Sequence, residues 1–461
     1  MKQLLTIFVL VCILVTGMLV TLQRSHPREI DRPENAGRSE VVFWHFWGGA
    51  DRDVVDGVVE RFNAAQDQFL VRSIAMPGNN LQAKLFLAIA GGDPPDLVNQ
   101  DDPIVGDWGW RGIVQPLRDV CSPQELTAFE KYLFPAAKQL GSYDGTLYAI
   151  CNGLDIRALY YNLSALQKHG LRPPSSLEEL TEIATTITPP GSVAPESFGY
   201  LPDARRLWAW GKVFGGDFFD FETKRVQLTD PAIVAATRWM AQFGSWYGAD
   251  TINRFRQGDQ SLPGKTFPLL PINDQEMQGR YVMLMDGQWR VRDIDAFIQR
   301  RRQQGLAYPE FGVCALPPPT AGRVDAGWVN GNFFLVPKGA KNTPGAVAFM
   351  KFWIGLGDPD QAAITCAAGG WIPVSQEVVQ TDLFQAFLDE RPLFREFVRL
   401  ASSQNQTPIP VIPGAPMFKR EVEKAAANAM ATPTQAAEDI LRASNTIIQR
   451  RLDKLGRRTE Q

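Results

Sequence analysis

Between residues 41 and 99 the apolar spacing alternates between strand-like and helix-like, and this alternation constrains the fold more than any other feature of the chain. Val41 to Trp44 is a short run of β-type residues that ends before Gly48-Gly49. From Asp51 to Phe69 the apolar residues Val54, Val55, Val58, Val59 and Phe62 follow helical spacing. Phe69 to Ala75 reads as a second strand and Leu81 to Ala90 as a helix. Asp96 to Asn99 is a third strand after the breaker Gly91-Gly92-Asp93-Pro94-Pro95. Such alternation predicts parallel β-α units, with ligands held in the crevice beyond the strand carboxyl ends. Trp47 and the pair Asp101-Asp102 fall on that rim.

A second α/β unit follows. Leu159 to Asn162 reads as a strand, Ser176 to Ile187 as a helix capped by Ser175 or Ser176, and Asp230 to Tyr247 as a helix with Pro231 in its first turn. Tyr281 to Met285, Phe311 to Leu316 and Phe333 to Val336 read as strands, and the chain is mainly helical in pattern from Pro344. No repeat of 20–50 residues occurs.

A length of 461 residues exceeds one ordinary core and predicts two domains of roughly 200 residues each. With 45% hydrophobic residues, 21% charged residues and a net charge of −3, the composition excludes a disordered chain and a nucleic-acid partner. Leu4 to Leu22 carries no charge, and as a helix it spans about 28 Å, the hydrocarbon thickness of a bilayer. No clean small-residue cleavage site follows, so residues 1–22 read as a signal or anchor helix, with an uncleaved anchor favoured, and 23–39 as a flexible tether. Four cysteines remain beyond it: Cys121, Cys151, Cys314 and Cys366. They permit two disulfides in an oxidising compartment or four packed thiols. No C-x-x-C occurs and only three histidines are present, which argues against a metal site; no cofactor is expected.

Several segments, in order, resemble the extracellular solute-binding proteins of ABC importers, in the maltose and oligosaccharide-binding group. "FWHFWGGADRDVVDGVVERFNA" is similar to that family's opening strand, loop and helix, and "LFLAIAGGDPPDLVNQDD" to its helix-to-strand step ending in an acidic loop. "SYDGTLYAICNGLDIRALYYN" and "PPSSLEELTEIATTIT" resemble its crossover into a second lobe. "MLMDGQWRVRDI", "FGVCALPPP" and "GWVNGNFFLVPKGAKNTPGAVAFMKFWIG" resemble its return to the first. The resemblance implies an α/β, two-lobed periplasmic-binding-protein-like fold in which sheets flanked by helices are joined by crossing hinge strands. It places the first lobe at 40–155 and 311–372, and the second at 156–310 with the C-terminal helical part 373–461.

Sugars present C–H patches on one face and hydroxyls at the edge, so their sites combine flat aromatic rings with in-plane carboxylate, amide or guanidinium groups. Trp47, at a strand exit where its own sheet cannot cover it, is expected as a stacking surface, with Trp44 in the core and His45 bonded locally. Trp328 and Trp371 stand on loops beside glycines, which suits exposure to the cleft. Trp108, Trp110, Trp208, Trp210, Trp239, Trp246 and Trp353 are expected to be packed. One of Asp101 and Asp102 is expected to accept hydroxyls and the other to cap the helix from Ile104 to Arg111.

The resemblance implies ligand contacts at Asp155, Asp203 and Trp289; Arg157, the neighbour of Asp155, reads as a salt-bridge partner rather than a binder. Arg205 and Arg206 stand where some relatives have aromatics, which suits an acidic or phosphorylated sugar or simply planar hydrogen bonds. The expected protein is a non-enzymatic monomer outside the cytoplasmic membrane, tethered through residues 4–22, that captures a carbohydrate ligand and delivers it to ABC transporter permease subunits. The alternatives are an exported glycoside-processing enzyme and an orphan sugar sensor. Adjacent carboxylates on one loop seldom span a scissile bond, and no G-x-S-x-G elbow occurs, which speaks against the enzyme.

Overall fold

A computed structural model describes residues 29–76, 80–101, 103–262 and 266–457. The elements that position the cleft are, in chain order, β1 (Ser39–His45), α1 (Ala50–Ala65), β2 (Phe69–Ala75), α2 (Asn80–Ala90), β3 (Leu97–Asp101), α3 (Val105–Trp110), β4 (Ala149–Asn162), α4 (Leu207–Val213) and α5 (Pro231–Tyr247). They continue with β5 (Met283–Gly287), α6 (Arg290–Gln303), β6 (Phe311–Cys314), β7 (Gly327–Leu335), α7 (Thr343–Ile354), α8 (Pro359–Gly369), α9 (Asp382–Glu390), α10 (Pro392–Ala401), β8 (Gln406–Thr407), α11 (Ala415–Ala431) and α12 (Ala437–Arg457).

The main sheet runs β6-β4-β7-β3-β1-β2, with β8 paired to β7 and β5 paired to β4. β1 is parallel to β2 and β3, and β7 returns antiparallel to both β3 and β4. The fold is mixed α/β, as expected, with two lobes. One is built on β1–β3, with α1 and α7 packed against that sheet and α8 packed on those two helices; the other carries α4, α5, α11 and α12, which pack on one another. Helix α9 lies on α8, and α10 lies on β4 and β6.

β4 crosses between them. Its 14 residues span roughly 46 Å. Residues before 157 pair with β7, and from Arg157 onward the partners are β5 and β6. The sequence pattern shows only its last four residues as a strand. The rest is buried on both faces and contains Asn152-Gly153, so neither alternation nor a clean apolar run marks it. Capping was better legible: Ser176 accepts from the Glu179 backbone N–H and Asp230 from that of Ala232.

The expectation of a flexible tether is corrected for its second half. Glu29–Asp31 and Pro33–Asn35 form short 3₁₀ turns, and the Arg38 guanidinium donates to the carbonyls of Asn63, Gln66 and Phe69 at 2.6–2.9 Å. Those carbonyls lie at and beyond the C-terminal end of α1, where a cation is favoured. The run from Leu4 to Leu22 lies outside the described residues; among those described, no helix is long and apolar enough to cross a membrane.

Candidate functional site

β1 delivers a column of rings. Val41, Phe43, His45 and Trp47 share its buried face, and the ring centroids of Phe43 and His45, then His45 and Trp47, are 5.3 and 5.8 Å apart. Trp47 stacks on Trp353 at 5.7 Å and 10°, and lies 5.4 Å from Trp371; Trp353 and Trp371 are 5.6 Å apart. Trp47 and Trp371 are therefore buried, at 6% and 7% exposure, which corrects the reading of both as open platforms. The period of two continues one step past the strand, and α7 and the turn after α8 supply the covering rings. Gly369 and Gly153 make room: a Cβ on them would lie 2.6 Å and 3.3 Å from Trp371. Trp44, expected in the core, is half-buried on the other face.

His45 is fully buried, and neither ring nitrogen has a hydrogen-bond partner among the described residues, against the expectation of a local bond. Burial carries its pKa down to about 4, with Asp56 pulling it up and Arg52 down.

The same face of β4 that carries Gly153 under Trp371 carries Asp155 and Arg157, at alternate positions. From Gly153 to Arg157 is about 13 Å along the strand. The Gln288 amide donates to Asp155 Oδ1 at 2.7 Å and to the Leu154 carbonyl, and accepts from the Ile156 N–H. One side chain beyond β5 thus clamps the crossing strand. Burial raises the Asp155 carboxyl, while Arg157 and Gln288 oppose the rise. Asp101, at the end of β3, is exposed to solvent. Its carboxyl is nonetheless raised by the surrounding protein, with Lys419 and Arg157 lowering it and Asp155 raising it. Asp102 lies outside the described residues.

Trp289 caps α6 and is half-buried; Trp328 on β7 is 5% exposed. Exposure of Trp328 to the cleft was expected and is not found, because the Arg157 guanidinium covers it at 4.5 Å and Lys419 stands 5.8 Å from its ring. Arg157 also donates to the Asn330 side chain. Trp108, Trp208, Trp210, Trp239 and Trp353 are packed as expected, and Trp110 and Trp246 are half-buried.

In the second lobe Asp203 accepts from the Arg205 backbone N–H at 2.9 Å and from its guanidinium at 2.6 Å. Burial raises this carboxyl, but the Arg205 contacts and the Arg206 charge outweigh it and bring the pKa to about 2. Asp286 accepts from Arg206 at 3.4 Å and from Arg290 at 2.9 Å. Arg205 also feels Asp286 and Glu423, and Glu423 pairs with Lys419 at 3.6 Å. The structure thus brings Asp101, Asp155, Trp289 and Trp328 together around Arg157, joins Asp203, Arg205 and Arg206 in a neighbouring charge-balanced patch, and sets Trp47 and Trp371 in the ring wall beside Gly153.

The bacterial extracellular solute-binding protein family matches residues 57–388. The chain belongs to this family. A maltotriose-binding protein of Pyrococcus abyssi is 23% identical over 353 residues, 74% of this chain and 68% of the relative. An sn-glycerol-3-phosphate-binding periplasmic protein of Agrobacterium fabrum is 28% identical over 162 residues, 33% of this chain and 37% of the relative. Among solved structures, CpMnBP1 with mannotriose bound has a TM-score of 0.71 at 22% identity, covering 89% of this chain and 99% of that one. The sugar-binding protein MalE from Xanthomonas citri has a TM-score of 0.69 at 17% identity, covering 92% and 100%. Those relatives are binding proteins by name, and membership of an extracellular family places this solute-binding protein outside the cytoplasm.

Reading the sequence missed Gln288, Asn330 and Lys419, and undervalued Arg157. Arg157 was within reach of the period-two rule, since it shares a strand face with Asp155. Asn330 and Lys419 reach the site only through long-range topology, which no local signal carries.

Proposed function

We propose that this solute-binding protein captures a carbohydrate between its two lobes and delivers it to the permease of an ABC importer, acting as a non-enzymatic monomer tethered to the membrane through residues 4–22. The carrying observation is the shared face of β4. The Trp289 ring stands at Arg157, with the Asp155 carboxylate beside it and Asp101 near, while packed Trp371 closes the end at Gly153. Ring faces match the C–H patches of a sugar, and carboxylates in the ring plane accept its hydroxyls. We take Asp101, Asp155, Trp289, Asp203, Arg205 and Arg206 as ligand contacts, Asp102 as a neighbour of that rim, and Trp47, Trp328 and Trp371 as the packed walls that hold them. We place the lobe boundaries near residues 155, 310 and 372, with α9 lying back against the first lobe.

Each guanidinium of the second-lobe patch faces a carboxylate, which favours a neutral polyhydroxylated ligand over a phosphorylated one. A thermal-shift screen with maltotriose, mannotriose and sn-glycerol 3-phosphate tests this. Ligand at 100 times Kd stabilises by about 2.7 kcal/mol, or roughly 5–10 °C for lobes of this size. A shift with a saccharide and none with the phosphate is expected. A shift with the phosphate alone would reject the reading, and shorter sugars recovered by chromatography would replace it with glycoside processing.

A further inference from the structure

We infer that Arg157 is a positioning residue of the cleft, setting ligand affinity by holding the Trp289 ring and the Asp155 carboxylate in their binding arrangement. The affinity part rests on the carbohydrate reading above.

The geometry is specific to one register. Arg157 stands opposite Gly287 of β5, and Trp328 of β7 lies next along the ladder from the Ile156–Val329 pair. Its guanidinium carbon is 4.9 Å from the Trp289 ring centroid and 4.5 Å from that of Trp328, so a planar cation separates two indoles. Such contacts are attractive, the more so when shielded from water, and Arg157 is 6% exposed. Gly287 permits the arrangement, since a Cβ there would lie 2.2 Å from the Trp289 ring. Asn330, which accepts from Arg157, pairs with Asp155 across the same ladder. One guanidinium therefore links β4, β7, the start of α6 and the neighbourhood of the central carboxylate. One face of Trp289 is thereby committed to Arg157, and the ring as a whole remains half-buried.

The charged groups facing Asp155 are Arg157 on its own strand and Asp101 on β3, with Lys419 of α11 beyond Asp101; Gln288 is its neutral partner. Removing Arg157 leaves two nearby carboxylates with one cation fewer. Their protonation then begins at higher pH, and a ligand that needs ionised acceptors binds less well as pH falls.

The test compares wild type with Arg157→Lys, which keeps charge without the planar face, and Arg157→Met, which keeps neither. In ligand-free protein labelled with 5-fluorotryptophan, the Trp289 ¹⁹F resonance, assigned from Trp289→Phe, is expected to shift or broaden in Arg157→Met and in Gly287→Ala. Calorimetric titration with maltotriose and with mannotriose should show about a tenfold loss for Arg157→Lys, about 1.4 kcal/mol, and about a hundredfold loss for Arg157→Met. Affinity of Arg157→Met should fall more steeply between pH 8 and pH 5.5 than that of wild type, whose two carboxyls keep the neighbouring cation. An Arg157 that only stabilises the fold would lower Tm and leave the resonance and the pH profile unmoved, which would overturn the inference. If wild type binds neither saccharide, the carbohydrate reading fails by itself, and the Trp289 resonance still decides whether Arg157 positions the ring.

Discussion

Nη1 of Arg292 lies 3.0 Å from Oδ1 of Asp51, and this ion pair joins the first turn of α6 to the first turn of α1. Three residues further along α6, Asp295 forms an ion pair with Arg391 at 3.2 Å, so α6 offers a cation to one neighbour and an anion to another. Trp289 begins α6, and Gly48-Gly49 after Trp47 lead into α1. The Arg292–Asp51 pair thus joins the two helices that follow these aromatic residues.

The partners are 44% and 35% exposed, which limits the pair to about 1 kcal/mol. Asp51→Asn and Arg292→Gln should each weaken ligand binding by up to about fivefold at low ionic strength, because less of the protein is closed before the ligand arrives. The loss should shrink in high salt, where the intact pair is itself screened. Titrations at two salt concentrations, with small-angle scattering of the ligand-free variants, check this; unchanged affinity and unchanged dimensions would show that the pair does not hold the lobes.

The stack of Trp47, Trp353 and Trp371 makes a separate prediction about stability. Trp353 is 1% exposed, and its indole N–H donates to the Asn152 carbonyl of β4 at 3.2 Å. Trp353→Ala leaves an indole-sized hole between two rings and an unpaired carbonyl, and should cost about 3–5 kcal/mol. Denaturant melts would show the loss as a lower midpoint. A cost below 1 kcal/mol would mean that the ring wall collapses freely and is not a rigid side of the cleft.

His45 predicts a pH dependence whose sign follows from its burial. Its pKa falls from 6.5 in the open chain to about 4 in the fold, so between those values the unfolded chain binds a proton that the folded protein does not. Stability therefore drops as pH falls from 6.5 towards 4, by about 3 kcal/mol in all, and this contribution is level below 4. Asp101, Asp155 and Asp295, whose carboxyls are raised, act in the opposite direction near the acid end. The difference between wild type and His45→Phe isolates the histidine: the variant should lose the slope and gain stability at pH 5. Parallel stability curves for the two proteins would reject the assignment.

The fold was legible wherever a local pattern carries its own boundary. β2 shows β-type residues between a helix and the breaker pair Pro77-Gly78 of the sequence, and α5 begins at Asp230-Pro231, where cap and first turn are written in the chain. β4 was hidden because burial on both faces erases alternation. At the site, glycine beside tryptophan was the misleading signal. It was taken to mark loops that present an indole to solvent, yet Gly153, Gly369 and Gly287 leave out a side chain so that an indole can pack against the backbone. Sequence cannot separate those meanings, because both need the missing Cβ. Asp155 was found through resemblance, but the side chains that surround it come from β3, β7, α11 and the turn before α6, and only the closed topology brings them together.

The cysteines give the last prediction. Among the described residues no disulfide joins Cys121, Cys151, Cys314 or Cys366, which decides between the two readings left open by their even number. Burial pushes the thiols of Cys121, Cys314 and Cys366 up to about 12, with nearby carboxylates adding to the rise at the first two. Little thiolate then exists at pH 8, and the thiolate is the reactive form. A thiol-specific colorimetric reagent should react slowly with the native protein and count these four thiols in addition to Cys12 after denaturation in guanidinium. Dithiothreitol should leave Tm unchanged, whereas breaking a native disulfide typically costs about 2–5 kcal/mol and would lower it by several degrees. A reductant-dependent fall in Tm would show that the fold uses cross-links after all, and with them that these four side chains are not the small apolar fillers their surroundings make them.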